Sequence, residues 1–508
     1  MAALQSISSY PLAVSLSLVL ATLLSYGFTR LYHARMIVSN LKKQGLPVAP
    51  GHNFLFGHLL LLKKYSEKLP KDAHYQYIIG DIYSDHFQKE GAFYIDLWPM
   101  SGLCFVNPKL AIERPRLLPR FFKPIAGGPN LFDMREAEWR PWRSVFSKGF
   151  STEHFLSLVP GMVKETMVYA QTFRDLAEKG EMFSLDTISL RSMMDVIGRT
   201  ILAETNPFGS LNVARWYMEW RNGRRMDKYI GDELDRRYAE FKADSDNSRT
   251  KAVMDIILQA YMGDGKTKPE RLDPEFRAFA IRQIRLFVFV GHDSTSSTIC
   301  YILHLLSQHP DALNKIRAEH DGVFGKNLKV VSDMLISQPH LTNDLPYTTA
   351  VIKETLRLFP PASCSRQGKP DVSIPTDSGA LCPMDDAFVF IIHVAMQRAP
   401  AYWVRAAEFL PECFLVEPGH ELFPVKGAWR PFEHGPRNCI AQGLVMIELK
   451  VILVHLVREF EFKDAYEEWD TINGRTDLRQ VYGDRAFQIE EGSAHSSDHY
   501  PCRVTLRK

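Results

Sequence analysis

The hydrophobic and polar positions of the chain form three stretches unlike an ordinary amphipathic helix. The first is Pro11 to Phe28, PLAVSLSLVLATLLSYGF, apolar at helical density and with no charged side chain before Arg30. About 20 residues rising about 1.5 Å each cross a hydrocarbon layer of roughly 30 Å, so residues 1–29 are predicted to anchor the chain in a membrane. Arg30, Arg35, Lys42 and Lys43 follow. Positive charge on that flank alone predicts a single pass with the bulk of the chain in the cytosol. A cleaved signal peptide is the alternative, but it would need a basic n-region and a small-x-small cleavage site, and neither is present. Gly45 to Leu59, GLPVAPGHNFLFGHL, is broken by Pro47, Pro50 and Gly51. Residues 30–50 therefore read as a basic, Pro-rich hinge, and 51–508 as one large domain.

The second stretch starts at Asp273-Pro274, an N-cap followed by a residue suited to the first helical position, and runs without proline to Gln308. That is roughly three times the usual helix length of about 11 residues. Its middle, Leu286 to Val290 (LFVFV), is apolar all round, as expected of a helix through a core. Gly291 to Thr298 (GHDSTSST) then cuts a polar notch into it. Ser and Thr compete for backbone hydrogen bonds, and Gly weakens a helix. The residues alone leave two readings: a Ser/Thr packing seam, or a helix opened where a small ligand and water sit.

The third stretch, Leu444 to Val457, is apolar apart mainly from Glu448 and Lys450, and it follows the loop PFEHGPRNCIAQG (Pro431 to Gly443). A helix beginning at Cys439 would aim its free N–H groups and dipole at the sulfur, and Arg437 adds positive charge; both effects favour a thiolate. Such a thiolate can be the fifth ligand of a haem iron. A lone cysteine can equally be a buried structural residue, and the loop by itself leaves both readings open. Strand patterns cluster near the chain ends. Phe93–Trp98 and Leu103–Asn107 flank Pro99 and Gly102 as a hairpin, and Arg503–Arg507 alternates. The predicted fold class is mainly α with small β-sheets.

Composition changes this picture little. The chain has 508 residues, 45% of them hydrophobic, and a net charge of +2, with no long basic run that would imply a nucleic-acid partner. Seven scattered cysteines, an odd number without CxxC spacing, argue for reduced thiols on the cytosolic side.

Taken together, the motifs resemble those of the cytochrome P450 superfamily, over roughly Gly51 to Lys508. Phe432-x-x-Gly435-x-Arg437-x-Cys439 is similar to its haem-binding loop, Lys353-Glu354-Thr355-Leu356-Arg357 to its ExxR helix, and Val290 to Thr295 to its oxygen-binding segment. Phe409 to Glu412 resembles the start of its FxPERF segment, and Trp139 to Arg143 its WxxxR helix. The anchor and hinge resemble those of microsomal members. The FEHGPRNCIAQ loop looks most like fungal secondary-metabolite members related to the sterigmatocystin and aflatoxin pathway enzymes.

The resemblance implies a cytochrome P450 fold behind one transmembrane helix, in a single-pass protein of the endoplasmic reticulum membrane. It implies haem b on Cys439, with Phe432 and Arg437 in the loop, and Trp139, Arg143, Arg366 and Arg437 on the haem propionates. Glu354 and Arg357 would be a structural pair. Asp293 with Ser294 or Thr295 would relay protons. Phe287, Val290, Gly291, Ala362 and Ser363 would line a mainly apolar substrate pocket, and Phe121 to Asp133 would add a lid. The implied enzyme is a monomeric monooxygenase that takes electrons from a separate NADPH-cytochrome P450 reductase. Its expected substrate is a polyketide such as an anthraquinone, or failing that a terpenoid. The alternatives are a haem-thiolate isomerase or dehydratase that uses no oxygen, and a non-catalytic haem-binding protein.

Three residues depart from the family pattern. Ser294 stands where Thr is usual, Ala441 where Gly is usual, and Cys413 where an Arg completes a network with Glu354 and Arg357. Without that arginine Glu354 is left with one partner, unless Arg398 or Arg405 substitutes.

Overall fold

The computed structural model describes residues 11–97, 100–105, 123, 125–147, 149–193, 213–243, 253–262, 269–385, 387–477 and 479–507. Helices dominate, and four small sheets sit beside them. The largest sheet joins Ala92–Leu97, Met100–Phe105, Phe388–Ile391 and Cys364–Gln367 in that order, with only the central pair parallel. The expected hairpin is there, but its second strand starts at Met100, and Gly102 pairs with Ile95 instead of turning the chain. The C-terminal alternation forms the strand Pro501–Leu506, paired with Phe460–Asp464. A tight hairpin, Gln488–Glu491 with Ser493–Ser496, lies against the long central helix.

That helix runs from Pro274 to Gln308, and the Asp273 carboxylate accepts from the N–H groups of Glu275 at 3.0 Å and Phe276 at 2.9 Å. The polar notch does not break it. Ser294, Thr295 and Thr298 donate to carbonyls four residues earlier, so the hydroxyls are absorbed by the helix's own backbone. Beyond the notch, Ile299 to Leu306 enters the largest apolar core with Leu449 to Val457 and Val351 to Leu358. The described part of the expected lid, Ile125 to Asp133, packs on the same helix through a hydrogen bond from Leu131 N–H to Gln283 Oε1 at 2.8 Å. The rest of the lid segment falls on residues outside the described ones, apart from Lys123.

The Pro346–Leu358 helix carries the buried pair Glu354 and Arg357. Arg357 Nε and Nη2 each donate to the carboxylate at 2.7 Å. Its remaining donors reach the carbonyls of Gln397, Ala406 and Glu408 at 2.7 to 2.8 Å, and the guanidinium lies 5.0 Å from the Trp403 ring centre. Neither expected substitute reaches Glu354. Arg398 donates to Leu358 O, and Arg405 pairs with exposed Glu408. The Leu410 N–H, at 2.7 Å, and the Cys413 thiol, at 3.7 Å, take the place of the missing arginine. Burial holds Cys413 well above the usual thiol range, so it stays a protonated donor. A cavity of about 120 Å3 remains beside it, lined by Glu354, Trp403, Leu410 and Phe423 among others.

At the N-terminal end, the apolar helix runs from Pro11 to Lys43. An 18-residue window within its Val14–Lys43 part has a mean hydropathy of 1.4, and that part is long and apolar enough to cross a membrane. The helix continues through residues 30–43, where a hinge was expected, and irregular backbone begins only after Lys43. Burial at Arg35 explains the difference. Its guanidinium meets Asp96 at 2.5 Å and donates to the carbonyls of Phe54 and Leu55 at 2.7 and 3.0 Å.

Arg35→Ala would leave Asp96 buried without its strongest partner. Thermal unfolding of the detergent-solubilised chain should show a loss on the order of 3 kcal/mol. Cys413→Ala should cost about 1 kcal/mol through the lost thiol donor. Cys413→Arg, which fills the cavity and adds donors for Glu354, should raise the unfolding temperature in the same assay.

Candidate active site

The loop before the Gln442–Glu459 helix is pinned by its own backbone. Cys439 N–H donates to Phe432 O at 2.8 Å, and Asn438 N–H to Gly435 O at 3.1 Å, with Gly435 at φ 80. The helix begins at Gln442, three residues later than expected, because Ala441 is its N-cap. Ala441 has φ −92, so its methyl group meets no backbone strain. The glycine that packing requires is Gly443, where a Cβ would stand 2.7 Å from the Phe155 ring.

Cys439 is the one exposed cysteine; five others are buried and Cys364 is intermediate. It lines a concavity of about 400 Å3 with Arg143, Phe150, Asn438, Gln442 and Met446. Arg143 donates to both oxygens of Asn438, at 3.1 and 2.9 Å, and so braces the loop. Burial lowers the pKa of Arg143, and the nearby Cys439 sulfur opposes that shift. Phe432 is half-buried and packs 5.9 Å from Trp429, ring to ring.

The arginines expected to grip an acidic cofactor fall into two groups. Arg437 stacks 4.0 Å above the Trp139 ring and donates to Met134 O at 3.0 Å and Glu136 at 3.2 Å. Arg366 belongs to a second group that the sequence did not reveal. With His393 and Arg430 it converges on Glu433, at 2.6, 3.1 and 3.2 Å. Burial pushes the Glu433 carboxyl up, but His393, Arg366 and Arg430 outweigh it and hold the group at about 2. This cluster is built to bind carboxylates, and the carboxylate it holds here is the chain's own. No motif in the sequence marks His393 or Arg430.

On the central helix, Phe287, Val290, Gly291 and Ser294 follow the i, i+3, i+4, i+7 spacing of one face. That face is half-buried or exposed, whereas His292, Asp293 and Thr295 to Leu306 are buried. A Cβ on Gly291 would meet open space. Ala362 is exposed, and Ser363 shares a 2.8 Å hydrogen bond with the Tyr75 hydroxyl. Thr295 is buried, with its hydroxyl on Gly291 O at 3.1 Å.

Asp293 turns toward the Gln488–Ser496 hairpin. It accepts from Ser493 N–H at 2.7 Å, and its other oxygen lies 3.3 Å from His495 Nε2. Gly492, at φ 94, is needed at that tip, since a Cβ there would press on the Asp293 carboxylate at 3.2 Å. His495 Nδ1 meets Asp186 at 2.9 Å. These C-terminal partners of Asp293 also carry no sequence motif; the two histidines of the run SAHSSDH are the signal that could have found them.

Comparison with known proteins identifies the family. The family model for cytochrome P450 matches residues 206–479. The cytochrome P450 monooxygenase polC of Polytolypa hystricis is 34% identical, over 99% of this chain and 97% of that protein. The monooxygenase acrF of Aspergillus aculeatus is 29% identical, over 87% of this chain and 99% of that protein. The crystal structure of another cytochrome P450 superimposes with a TM-score of 0.67 at 20% identity, covering 91% of this chain and 99% of that one, which shows the shared fold. The chain therefore belongs to the cytochrome P450 family and is a cytochrome P450 monooxygenase, an enzyme type whose cofactor is haem iron.

Proposed function

We propose that the Cys439 sulfur would hold the iron of haem b, and that the enzyme is a microsomal monooxygenase acting on a mainly apolar secondary metabolite. One observation carries the reading: the only exposed thiol among the seven cysteines sits in a braced loop ahead of a helix start, with the Arg143 guanidinium beside it. The donor set fits the cofactor. A sulfur is available for iron, Arg366, Arg430, Arg437 and Arg143 are cations suited to propionates, and His393 adds a ring nitrogen beside them. When bound, the haem activates dioxygen for insertion of one oxygen atom.

The chain's own residues do the rest. Asn438 and Arg143 fix the sulfur. Phe287, Val290, Gly291 and Ala362 present an apolar wall to the substrate, and the Ser363–Tyr75 pair offers it one polar anchor. Asp293 holds a proton near the notch, and Ser294, whose hydroxyl lies on the open face, passes it inward, with Thr295 as second candidate. Electrons come from a membrane-bound NADPH-cytochrome P450 reductase, for which the concavity around Arg143 and Cys439 is a docking face. The Pro11–Lys43 helix would hold the enzyme in the endoplasmic reticulum membrane with its catalytic domain, residues 51–508, in the cytosol. An anthraquinone-type polyketide is the first substrate to try, and a terpenoid the second.

The test is optical. The reduced wild-type chain under carbon monoxide should show a strongly red-shifted Soret band, and Cys439→Ser should lose it while keeping its fold by circular dichroism. Persistence of the band in that variant would overturn the ligand assignment.

A further inference from the structure

Asp293 lies at the inner end of a buried chain of polar groups that the family motifs do not account for. His495 Nε2 stands 3.3 Å from Asp293 Oδ1, and His495 Nδ1 stands 2.9 Å from Asp186 Oδ1. The three side chains are 5%, 1% and 0% exposed in the order Asp293, His495, Asp186, so water does not screen them. Ser493 Oγ lies 3.0 Å from the same Nε2 and is half-buried. At the outer end, His499 Nδ1 stands 3.5 Å from Asp186 and 3.4 Å from Glu491, and its side chain is 45% exposed. The other groups facing the chain are His292 on the central helix, Tyr301, whose hydroxyl donates to His495 O, and Cys300, which lies 3.8 Å from Asp186.

The backbone is bent to make this arrangement. Asp498, His499 and Tyr500 are three consecutive non-glycine residues at φ 51, 55 and 54. Such strain persists only where surrounding contacts enforce it, and it clusters at functional sites.

We propose that His495 is a positioning residue that supplies protons to Asp293, that Asp186 holds it as the cation, and that Ser493 is the port through which it is reloaded. The proposal rests on the proton-handling role given above to Asp293. In the cation, Nδ1–H is held by Asp186, and Nε2–H faces Asp293 and Ser493. Delivery breaks the Nε2–H bond and forms an O–H bond on Asp293 Oδ1, leaving neutral imidazole. The Ser493 hydroxyl then gives its proton to Nε2 and takes one from solvent. The overall reaction balances as one substrate, one dioxygen, two electrons from the reductase and two protons, giving one hydroxylated product and one water.

Electrostatics agree with the geometry. Burial would push His495 down, but Asp186 and Asp293 override it and hold it well above 6.5. Burial likewise raises Asp186, and His495 and His499 outweigh it, bringing the group from 3.8 to about 2. A depressed carboxyl adds stability above its unfolded value, and that stability is lost as pH falls through the folded value. A raised imidazole adds stability below 6.5 and loses it as pH rises through the folded value.

The test uses the full chain in phospholipid nanodiscs with reductase and 7-ethoxycoumarin as probe. Hydrogen peroxide already contains the oxygen, electrons and protons that dioxygen must acquire. In His495→Gln, NADPH-driven dealkylation should fall by on the order of tenfold or more, while peroxide-driven dealkylation stays within about twofold of wild type. Equal losses by both routes, or no loss by either, would overturn the proposal while leaving the monooxygenase reading intact. A wild type that consumes no dioxygen with reductase would overturn both. A second readout is independent of turnover. The urea stability lost in Asp186→Asn should be greatest between about pH 4 and 6.5 and shrink on either side. A loss that does not vary with pH would mean a neutral hydrogen bond and would overturn the proposal by itself.

Discussion

The fold depends on a carboxylate and a guanidinium enclosed together. Glu354 and Arg357 are 0% and 2% exposed, which is unfavourable for both charges unless every lone pair and N–H group is used. All five Arg357 donors are placed, two on Glu354 and three on carbonyls of the Gln397–Glu408 segment. That segment leads into the Cys439 loop, whose Trp429 indole N–H bonds Lys353 O on the same Glu354 helix at 2.9 Å. The pair therefore sets the position of the loop that presents the sulfur. It has survived the loss of an arginine because a backbone N–H and a thiol are enough to complete the carboxylate.

The central helix meets a similar constraint differently. A notch of hydroxyls in a buried helix would be costly if the hydroxyls were unpaired. Most of them return to the helix's own carbonyls, and Ser297 reaches Ala494 O in the hairpin at 2.5 Å. The helix stays whole, and it opens on one face through the smallness of Gly291 and Ser294, not through a break.

Much of this was legible in the sequence. The Asp273-Pro274 start, the full length of the central helix and the exposed cysteine loop follow from local chemistry: a cap, an apolar period, a Gly-Pro stop. The ExxR pair was readable as a motif, but its surroundings were not. Which carbonyls complete Arg357, and that Arg398 and Arg405 turn elsewhere, are decided by segments about 40 to 50 residues away. Glu433, His393 and Arg430 meet only because a strand end and the loop turn at Glu433 bring them together, and no spacing records that. The helix through residues 30–43 was missed because a basic run reads as solvated, whereas one of its arginines is enclosed by the catalytic domain. The late helix start after Cys439 was missed because Ala441 caps without any side-chain signal.

The Arg35–Asp96 contact turns the N-terminal helix from a tether into a lever. With its inner end clasped by a strand of the main sheet, the helix is held at a set angle to the body of the protein. A truncation starting after Lys43 would lose this arginine along with the apolar residues of the helix. It would leave an acidic side chain in the interior with His52 nearby and no guanidinium. Engineers seeking a water-soluble form would do better to cut before Arg35 and retain the last turns of the helix.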